Sequence, residues 1–449
     1  MKRIRYSWFI ALVILSTIST QAVNAQNGPP QYVRDAVAAV ENMLQSEGDA
    51  PIEAFVRTAM TPDAASDQSD LMNRLRAIRD AVRGLQDDLS VEAEPDGVRL
   101  ILSSDETEKQ IKVALGPDGI SDLYLMEDAP ERLVLTRDNL SETFDQLAAE
   151  GMAGVVYVRL GGEVVLQRAF GLANPESKTP NTLDTIFGTG SRPIDYTVAA
   201  VYLLDQKGQI HLDDPIDRYF DNVPPDKRSM TIRHLMTGQS GLPDFFHTAT
   251  DWDPDLAWID RKTAEQRILS QALLFAPGAG HKHSHGAFVL LAALVERVSG
   301  KSYYDFIREN FLDPAGMNRT GEYGEMRGLA LDDFAAGSGP QIVGLPNIPP
   351  NWGPTSWLIK GSGGMYATLG DLMKFYTFIR SGAVLDAQHR IAFSRPVVNV
   401  DGSDRGFELF SAYDPSGDQI YLFLNAPGDR SRLRGLFRAL ESLVGSGDN

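Results

Sequence analysis

The sequence predicts an α+β fold, in which an antiparallel sheet is flanked by helices and carries a helical subdomain, preceded by a small α+β accessory domain. One observation is an early β-hairpin, because apolar stretches flank the turn-forming pair Gly161-Gly162. Another is a second pair of apolar stretches, on either side of residues 414–417. Since the residues between the two hairpins have helical spacing, we expect a sheet assembled from both ends of the domain.

The chain of 449 residues is long enough for several domains. We predict a signal peptide at residues 1–25, the accessory domain at 26–128 and the main domain at 132–449. In the accessory domain three helical patterns precede three strand patterns, which resembles the NTF2-like and cystatin-like accessory domains. It contains no catalytic constellation, so docking, dimerisation and spacing all remain open as its role.

The first 25 residues have the three parts of a secretory signal peptide. Lys2, Arg3 and Arg5 form a basic start, residues 8–15 are apolar, and residues 22–25 end in small side chains at the spacing of a cleavage site. An uncleaved anchor is the alternative, although the apolar run is short for a membrane span. The chain has no cysteine to carry a lipid. We therefore expect a periplasmic or secreted protein with no membrane span after signal removal.

The charge balance excludes two classes of partner. The formal net charge is −18, so nucleic acid and anionic membrane surfaces are repelled. We predict no nucleic-acid partner and no cofactor, and the sequence leaves the oligomeric state undetermined.

Residues 187–194 predict a nucleophile turn. Ser191 follows Gly190 at the start of an apolar helix, where backbone N–H groups would face developing negative charge. Ser191 is therefore the candidate nucleophile. The competing interpretation is a helix N-cap, because a serine shortly before Pro193 is also good capping chemistry.

The order of motifs from about residue 133 to residue 444 resembles the serine β-lactamase and penicillin-binding-protein-like hydrolases of the class C type. The matching segments, in order, are 180–187, Gly190-Ser191, 212–216, 231–236, 240–242, 277–278, 363–368 and 371–372. The resemblance implies that family's fold and a serine that forms an acyl-enzyme. In the family a lysine three residues after the serine helps to remove its proton. Here that residue is Ile194, which cannot accept a proton.

The resemblance places residues 283–285 at the family's second motif, Tyr-x-Asn, on the opposite wall of the cleft. His283 then replaces the tyrosine and His285 the asparagine, and an imidazole near Ser191 would be a competent base at neutral pH. We predict both histidines as catalytic, with His283 as the preferred base. A loop of solvated histidines is one alternative, and a metal site that includes His281 is another. Because no acidic or cysteine ligand lies nearby in sequence, we assign no metal.

The third motif, Lys-Thr-Gly or His-x-Gly on a strand lining the cleft, best matches residues 400–402. Val400 then stands in the place of the cationic residue, which makes penicillin-like or peptide carboxylates poor substrates. We predict Gly402 and Ser403 as substrate-binding residues. Trp357 is a third predicted substrate contact, although it could equally pin the long loop that contains it.

Asp195 allows two interpretations. It lies four residues after Ser191, near the same helical face, and could orient a histidine in a triad. It could also be an acid in the first helical turn, which the helix dipole favours.

Two functions are compatible with these residues. The first is an exported serine hydrolase that transfers an acyl group to water from a small-molecule or peptide-like ester or amide. The second is a catalytically inactive protein of the same fold that binds or scaffolds. We favour the enzyme, because the nucleophile turn is present and a histidine stands where a base is needed.

Overall fold

The computed structural model divides the chain into two compact units, Met1–Val134 and Leu135–Asn449. The structure describes residues 5–7, 31–61, 68–83, 85, 88–94, 97–103, 108–116, 119–126, 133–246, 248, 257–338, 344–394, 402–413, 417–428 and 430–444. Among these residues no helix combines the length and the apolar character that crossing a membrane requires.

The first unit combines three helices with an open sheet. Its elements are β1 (Arg5–Ser7), α1 (Gln31–Gln45), α2 (Ala50–Ala59), α3 (Gln68–Ala81), β2 (Asp88–Glu94), β3 (Gly97–Ser103), β4 (Glu108–Gly116) and β5 (Gly119–Leu125). The strands follow the order β1-β2-β3-β4-β5, with β1 parallel to β2 and the others antiparallel. Buried residues of the helices and strands form one core. Strand β1 falls within residues 1–25, and the signal peptide there stays a prediction.

The second unit contains the larger sheet and most of the helices. Its strands are β6 (Ala153–Leu160), β7 (Glu163–Phe170), β8 (Leu172–Asn174), β9 (Thr179–Pro180), β10 (Phe187–Gly188), β11 (Gly321–Glu322), β12 (Met365–Ala367), β13 (Gly402–Asp404), β14 (Phe407–Tyr413) and β15 (Gln419–Ala426). Its helices are α4 (Leu140–Ala149), α5 (Pro193–Gln206), α6 (Ile232–Met236), α7 (Arg261–Ser270), α8 (His285–Ser299), α9 (Tyr303–Ile307), α10 (Leu369–Ser381), α11 (Ala387–Ser394) and α12 (Arg430–Glu441).

The main sheet joins the two ends of this unit. Its order is β13-β14-β15-β6-β7, all antiparallel, and the last strand of the chain pairs with the first strand of the unit, Leu422 opposite Val156. The turn between β6 and β7 contains Gly161 and Gly162, both at positive φ, as the two-residue hairpin requires. The predicted α+β fold, with its sheet built from both ends, is confirmed.

Two helices are apolar around most of their circumference. Residues 286–295 of α8 are all buried, as are residues 196–204 of α5. A helix of this composition must be covered on every side, and the two pack against each other and against α6, α7 and α9 in one core. The positions at which α5 and α8 begin are consequently fixed by packing, and the candidate site lies at these two starts.

A buried histidine ties α11 to α5. His389 lies with Nδ1 2.8 Å from Oδ1 of Asp386 and Nε2 2.9 Å from Oδ2 of Asp205. Burial would lower the pKa of His389, but the hydrogen bonds and charges of the two carboxylates outweigh it and raise that pKa above its ordinary 6.5. The pair of contacts therefore stabilises the fold fully below about pH 6.5 and is lost as the pH rises through the elevated pKa.

We expect His389→Gln to lower the free energy of unfolding by about 2 kcal/mol in mildly acidic solution, because charge-assisted hydrogen bonds are lost. The deficit should shrink at alkaline pH, where wild-type His389 is neutral. Denaturant unfolding of both proteins across this pH range measures the difference. His211→Gln is the matched control, since His211 is exposed and lies 3.9 Å from the same Asp205. A deficit that is independent of pH would contradict this account.

Candidate active site

The nucleophile turn is held by two hydrogen bonds to β12 and by one within the turn. The backbone N–H and the hydroxyl of Thr189 both donate to the carbonyl of Met365, at 3.1 and 2.8 Å, and the N–H of Arg192 donates to the carbonyl of Thr189 at 3.1 Å. Gly190 adopts a φ of 52°, a left-handed conformation that L side chains rarely occupy. These bonds fix the position of Ser191 independently of the groups that its side chain meets.

Ser191 does not cap α5. The N-cap residue of that helix is Arg192, which makes no side-chain cap hydrogen bond. The Ser191 hydroxyl instead lies 3.2 Å from Nε2 of His285, across the interior of the unit. Ser191 stands just ahead of a fourteen-residue helix, at the end where the helix dipole is positive.

His285 is oriented by the start of α8. Ser284 caps this helix by accepting a hydrogen bond from the N–H of Ala287 at 3.2 Å, and its hydroxyl donates to the carbonyl of Pro243 at 2.6 Å. The N–H of Gly286 donates to the carbonyl of Asp244 at 3.1 Å. The loop that carries Asp244 is therefore fastened to the first turn of α8.

Asp244 completes a line of three polar side chains. Its Oδ1 lies 2.7 Å from Nδ1 of His285 and accepts the backbone N–H of His285 at 3.1 Å. Burial alone would raise the pKa of Asp244, but the hydrogen bonds and charge of His285 outweigh it and hold that pKa below its usual range. An ionised carboxylate only accepts hydrogen bonds, so Nδ1 of His285 carries a proton. In the neutral ring the lone pair is then on Nε2, the nitrogen that lies 3.2 Å from the Ser191 hydroxyl.

Two aromatic contacts restrict the His285 ring. Phe245 stacks on it with ring centroids 4.5 Å apart and an interplanar angle of 13°. His283 meets it nearly at a right angle, with centroids 4.6 Å apart. The His285 side chain is only 16% exposed. Its rotamer is thus set by packing as well as by hydrogen bonding.

The prediction preferred His283 as the base, and the structure gives the contact with Ser191 to His285. Both ring nitrogens of His283 are buried, and neither has a hydrogen-bond partner among the residues that the structure describes. Burial, together with the neighbouring His285, lowers the pKa of His283 to about 4. His283 is consequently neutral and a weak proton acceptor at physiological pH, whereas the start of α8 and Asp244 turn His285 toward the hydroxyl.

Ile194, at the position of the family's lysine, and Asp195, considered as the acid that orients a histidine, both lie outside the Ser191–His285–Asp244 contacts. Ile194 is 3% exposed and belongs to the hydrophobic core, so its position offers no polar group to the site. Asp195 accepts the hydroxyl of Tyr376 and lies 3.5 Å from the guanidinium of Arg192. Asp195 is an acid of the first turn of α5, and the carboxylate beside the histidine is Asp244.

The three predicted substrate contacts stay predictions. Trp357 is 8% exposed and packs in the core, with its backbone N–H donating to the carbonyl of Ile259. Gly402 and Ser403 belong to β13 at the edge of the main sheet, opposite Leu409 and Glu408. Val400, weighed as the replacement for the cationic residue, lies outside the described residues.

Sequence reasoning missed Asp244. It follows the matched segment 240–242 in a loop, 41 residues before His285, and no local spacing links the two. The available indication was a short acidic side chain directly after a Gly-Leu-Pro turn in a matched region. With Asp244 in place, Asp244, His283 and His285 each bring a possible metal ligand atom within 4.8 Å of the others.

Curated proteins that are similar to this chain include an aminopeptidase and an esterase. A D-aminopeptidase of Brucella anthropi is 31% identical over 234 residues, which cover 51% of this chain and 43% of that protein. Esterase EstB of Burkholderia gladioli is 31% identical over 198 residues, covering 40% and 50% of the two chains. The chain thus spans about half the length of these relatives.

Solved structures agree on the fold. A penicillin-binding protein from Bacillus halodurans superposes with a TM-score of 0.55 at 23% identity, covering 69% of this chain and all of that one. The Beta-lactamase family model matches residues 140–420, which is more than half of the sequence. The resemblance predicted from the motif order is confirmed, and the chain belongs to the beta-lactamase family.

Proposed function

We propose that this chain is an exported serine hydrolase in which Ser191, His285 and Asp244 act together as a catalytic triad on a small ester or amide. The observation that carries the proposal is the unbroken line from the carboxylate through the imidazole to the hydroxyl, with separations of 2.7 and 3.2 Å. A nucleophile, a base and a group that orients the base are the parts that acyl transfer requires.

The first half-reaction forms an acyl-enzyme. Oγ of Ser191 attacks the carbonyl carbon, Nε2 of His285 takes the hydroxyl proton, and the carbonyl π electrons move onto oxygen. The carboxylate of Asp244 stabilises the imidazolium, while the start of α5 faces the developing oxyanion. When the intermediate collapses, His285 returns the proton to the departing alkoxide or amine, and the acyl group remains on Ser191.

The second half-reaction repeats these roles with water. His285 takes a proton from water as its oxygen attacks the acyl carbon, and then returns that proton to Oγ of Ser191 as the acid leaves. The base therefore reaches the hydroxyl from α8, whereas the family's lysine would come from α5 itself. Ile194 fills the lysine position with a buried apolar side chain, so only the base on α8 is available at this serine in the proposed mechanism.

The substrate class is proposed from the relatives and the site together. By name, the relatives include an esterase and an aminopeptidase, which act on esters and amides. A small neutral acyl donor is proposed because the carboxylate of Asp244, which contacts the base, would disfavour a negatively charged one. Export is proposed from the pattern of the first 25 residues.

A fluorophosphonate probe tests this function. We expect the folded protein to gain one covalent adduct by intact mass at mildly alkaline pH, and Ser191→Ala to gain none. Ser177→Ala, which removes an exposed hydroxyl in a surface turn, is the matched control and should label normally. A folded wild-type protein that stays unlabelled would contradict the hydrolase proposal and favour an inactive binding protein of the same fold.

A further inference from the structure

Three side chains of the types that serve as metal ligands lie close together beside Ser191. Asp244, His283 and His285 offer a carboxylate oxygen and two imidazole nitrogens, all within 4.8 Å of one another. The proposed mechanism uses only Asp244 and His285. His283 therefore needs a separate explanation.

The state of His283 is unusual for a structural histidine. Its ring lies between His285 and Phe288, at centroid distances of 4.6 and 5.8 Å. Both of its nitrogens are buried without a hydrogen-bond partner among the described residues, an arrangement that destabilises a polar group. A neutral imidazole with an unused lone pair is the form in which histidine binds a metal ion.

The geometry needs only a small adjustment. A zinc ion bound at about 2.1 Å from each ligand holds its ligand atoms about 3.4 Å apart in a tetrahedron. The three ligand atoms already lie within 4.8 Å of one another, and Oδ1 of Asp244 and Nδ1 of His285 are 2.7 Å apart, so side-chain rotations that move ligand atoms by roughly an ångström reach this spacing. Asp244 and the start of α8 are already fastened to each other, which leaves His283 as the ring that has to turn.

We infer that Asp244, His283 and His285 form a binding site for a borderline-soft divalent metal ion such as Zn²⁺, and that the bound ion silences Ser191. Two imidazoles and one carboxylate suit zinc better than the oxygen-seeking Mg²⁺ or Ca²⁺. The silencing, though not the binding, rests on the proposed hydrolase function.

Either nitrogen of His285 gives the same outcome. If the metal takes Nε2, the hydroxyl of Ser191 loses its proton acceptor. If the metal takes Nδ1, the proton that Nδ1 donated to Asp244 moves to Nε2, which then donates and cannot accept. In both cases Asp244 becomes a metal ligand and no longer orients the base.

Binding is tested without reference to activity. Full-length protein, stripped with a chelator, is titrated with Zn²⁺ and separately with Mg²⁺ in a calorimeter, and Co²⁺ provides an optical signature of tetrahedral nitrogen and oxygen ligation. We expect about one equivalent of Zn²⁺ to bind and Mg²⁺ not to bind. His283→Phe, which keeps a buried ring beside Phe288, should weaken Zn²⁺ binding about tenfold or more. His281→Ala, an exposed histidine in the same loop, should bind as the wild type does.

Silencing is tested with the fluorophosphonate probe. For each protein the labelling rate with saturating Zn²⁺ is divided by its own chelator-treated rate. We expect the ratio to fall about tenfold or more in the wild type, to recover on adding chelator, and to stay near one in His283→Phe. No Zn²⁺ binding, equal binding by His283→Phe, or faster labelling with Zn²⁺ would each overturn the inference. Zinc binding by a protein that never labels would uphold the metal site and reject only the hydrolase.

Discussion

His285→Ala is expected to slow fluorophosphonate labelling and ester hydrolysis by about 10⁴-fold, because the Ser191 hydroxyl then has no proton acceptor. His283→Phe should slow both by no more than about tenfold, since its effect is limited to the packing of the neighbouring ring. The two histidines lie two residues apart, so this contrast assigns the base directly. Pseudo-first-order labelling rates of the chelator-treated proteins give the measurement.

The control for this pair is His281→Ala, which removes an exposed imidazole from the same loop. Its labelling rate should match that of the wild type. Thermal unfolding of all three variants shows whether any loss of rate reflects a loss of fold. Slow labelling of His283→Phe together with normal labelling of His285→Ala would reverse the assignment and restore the base that the sequence favoured.

Asp244→Asn is expected to reduce the labelling rate by about 10⁴-fold while leaving the protein folded. An asparagine can fill the same space, but it brings no charge to stabilise the imidazolium. Its NH₂ group can also donate to Nδ1 of His285, which forces the ring proton onto Nε2, where it faces Ser191. Loss of rate should therefore come from the wrong tautomer as well as the missing charge.

Asp195→Asn provides the matched comparison, because Asp195, four residues after Ser191, was the acid that the sequence analysis considered for the triad. It bonds Tyr376 and lies away from the imidazole line, so we expect a rate within about tenfold of the wild type. Equal losses in the two variants would argue against a specific role for Asp244. Stability is compared by denaturant unfolding, since Asp244 also accepts the N–H of His285 at the start of α8.

The sheet could be predicted because its strands carry local markers. Gly161 and Gly162 identify the first hairpin, and apolar stretches on either side of residues 414–417 identify β14 and β15. Strand β2 was missed, since its buried apolar residues Leu89 and Val91 alternate with polar ones over too short a stretch to stand out. The pattern of apolar residues in the sequence thus predicts strands with long buried stretches better than strands with short ones.

The site could be predicted only in part. Ser191 could be singled out as the candidate nucleophile because a glycine turn before an apolar helix is a local feature. Asp244 was not found, because its contact with His285 closes a loop of 41 residues and depends on how Ser284 and Gly286 fasten that loop to α8. The choice between His283 and His285 depends on which residue begins α8. Sequence patterns do not locate the end of a helix to within one residue.

The placement of His285 as the first residue of α8 has an electrostatic consequence. The amino end of a fifteen-residue helix opposes a cation there, so the imidazolium is tolerable only while Asp244 supplies the counter-charge. With Ile194 at the position of the family's lysine, this chain has no ammonium group there, and the carboxylate of Asp244 is the charge that contacts the resting imidazole. On the proposed mechanism the Asp244–His285 pair is therefore zwitterionic only for the lifetime of a tetrahedral adduct.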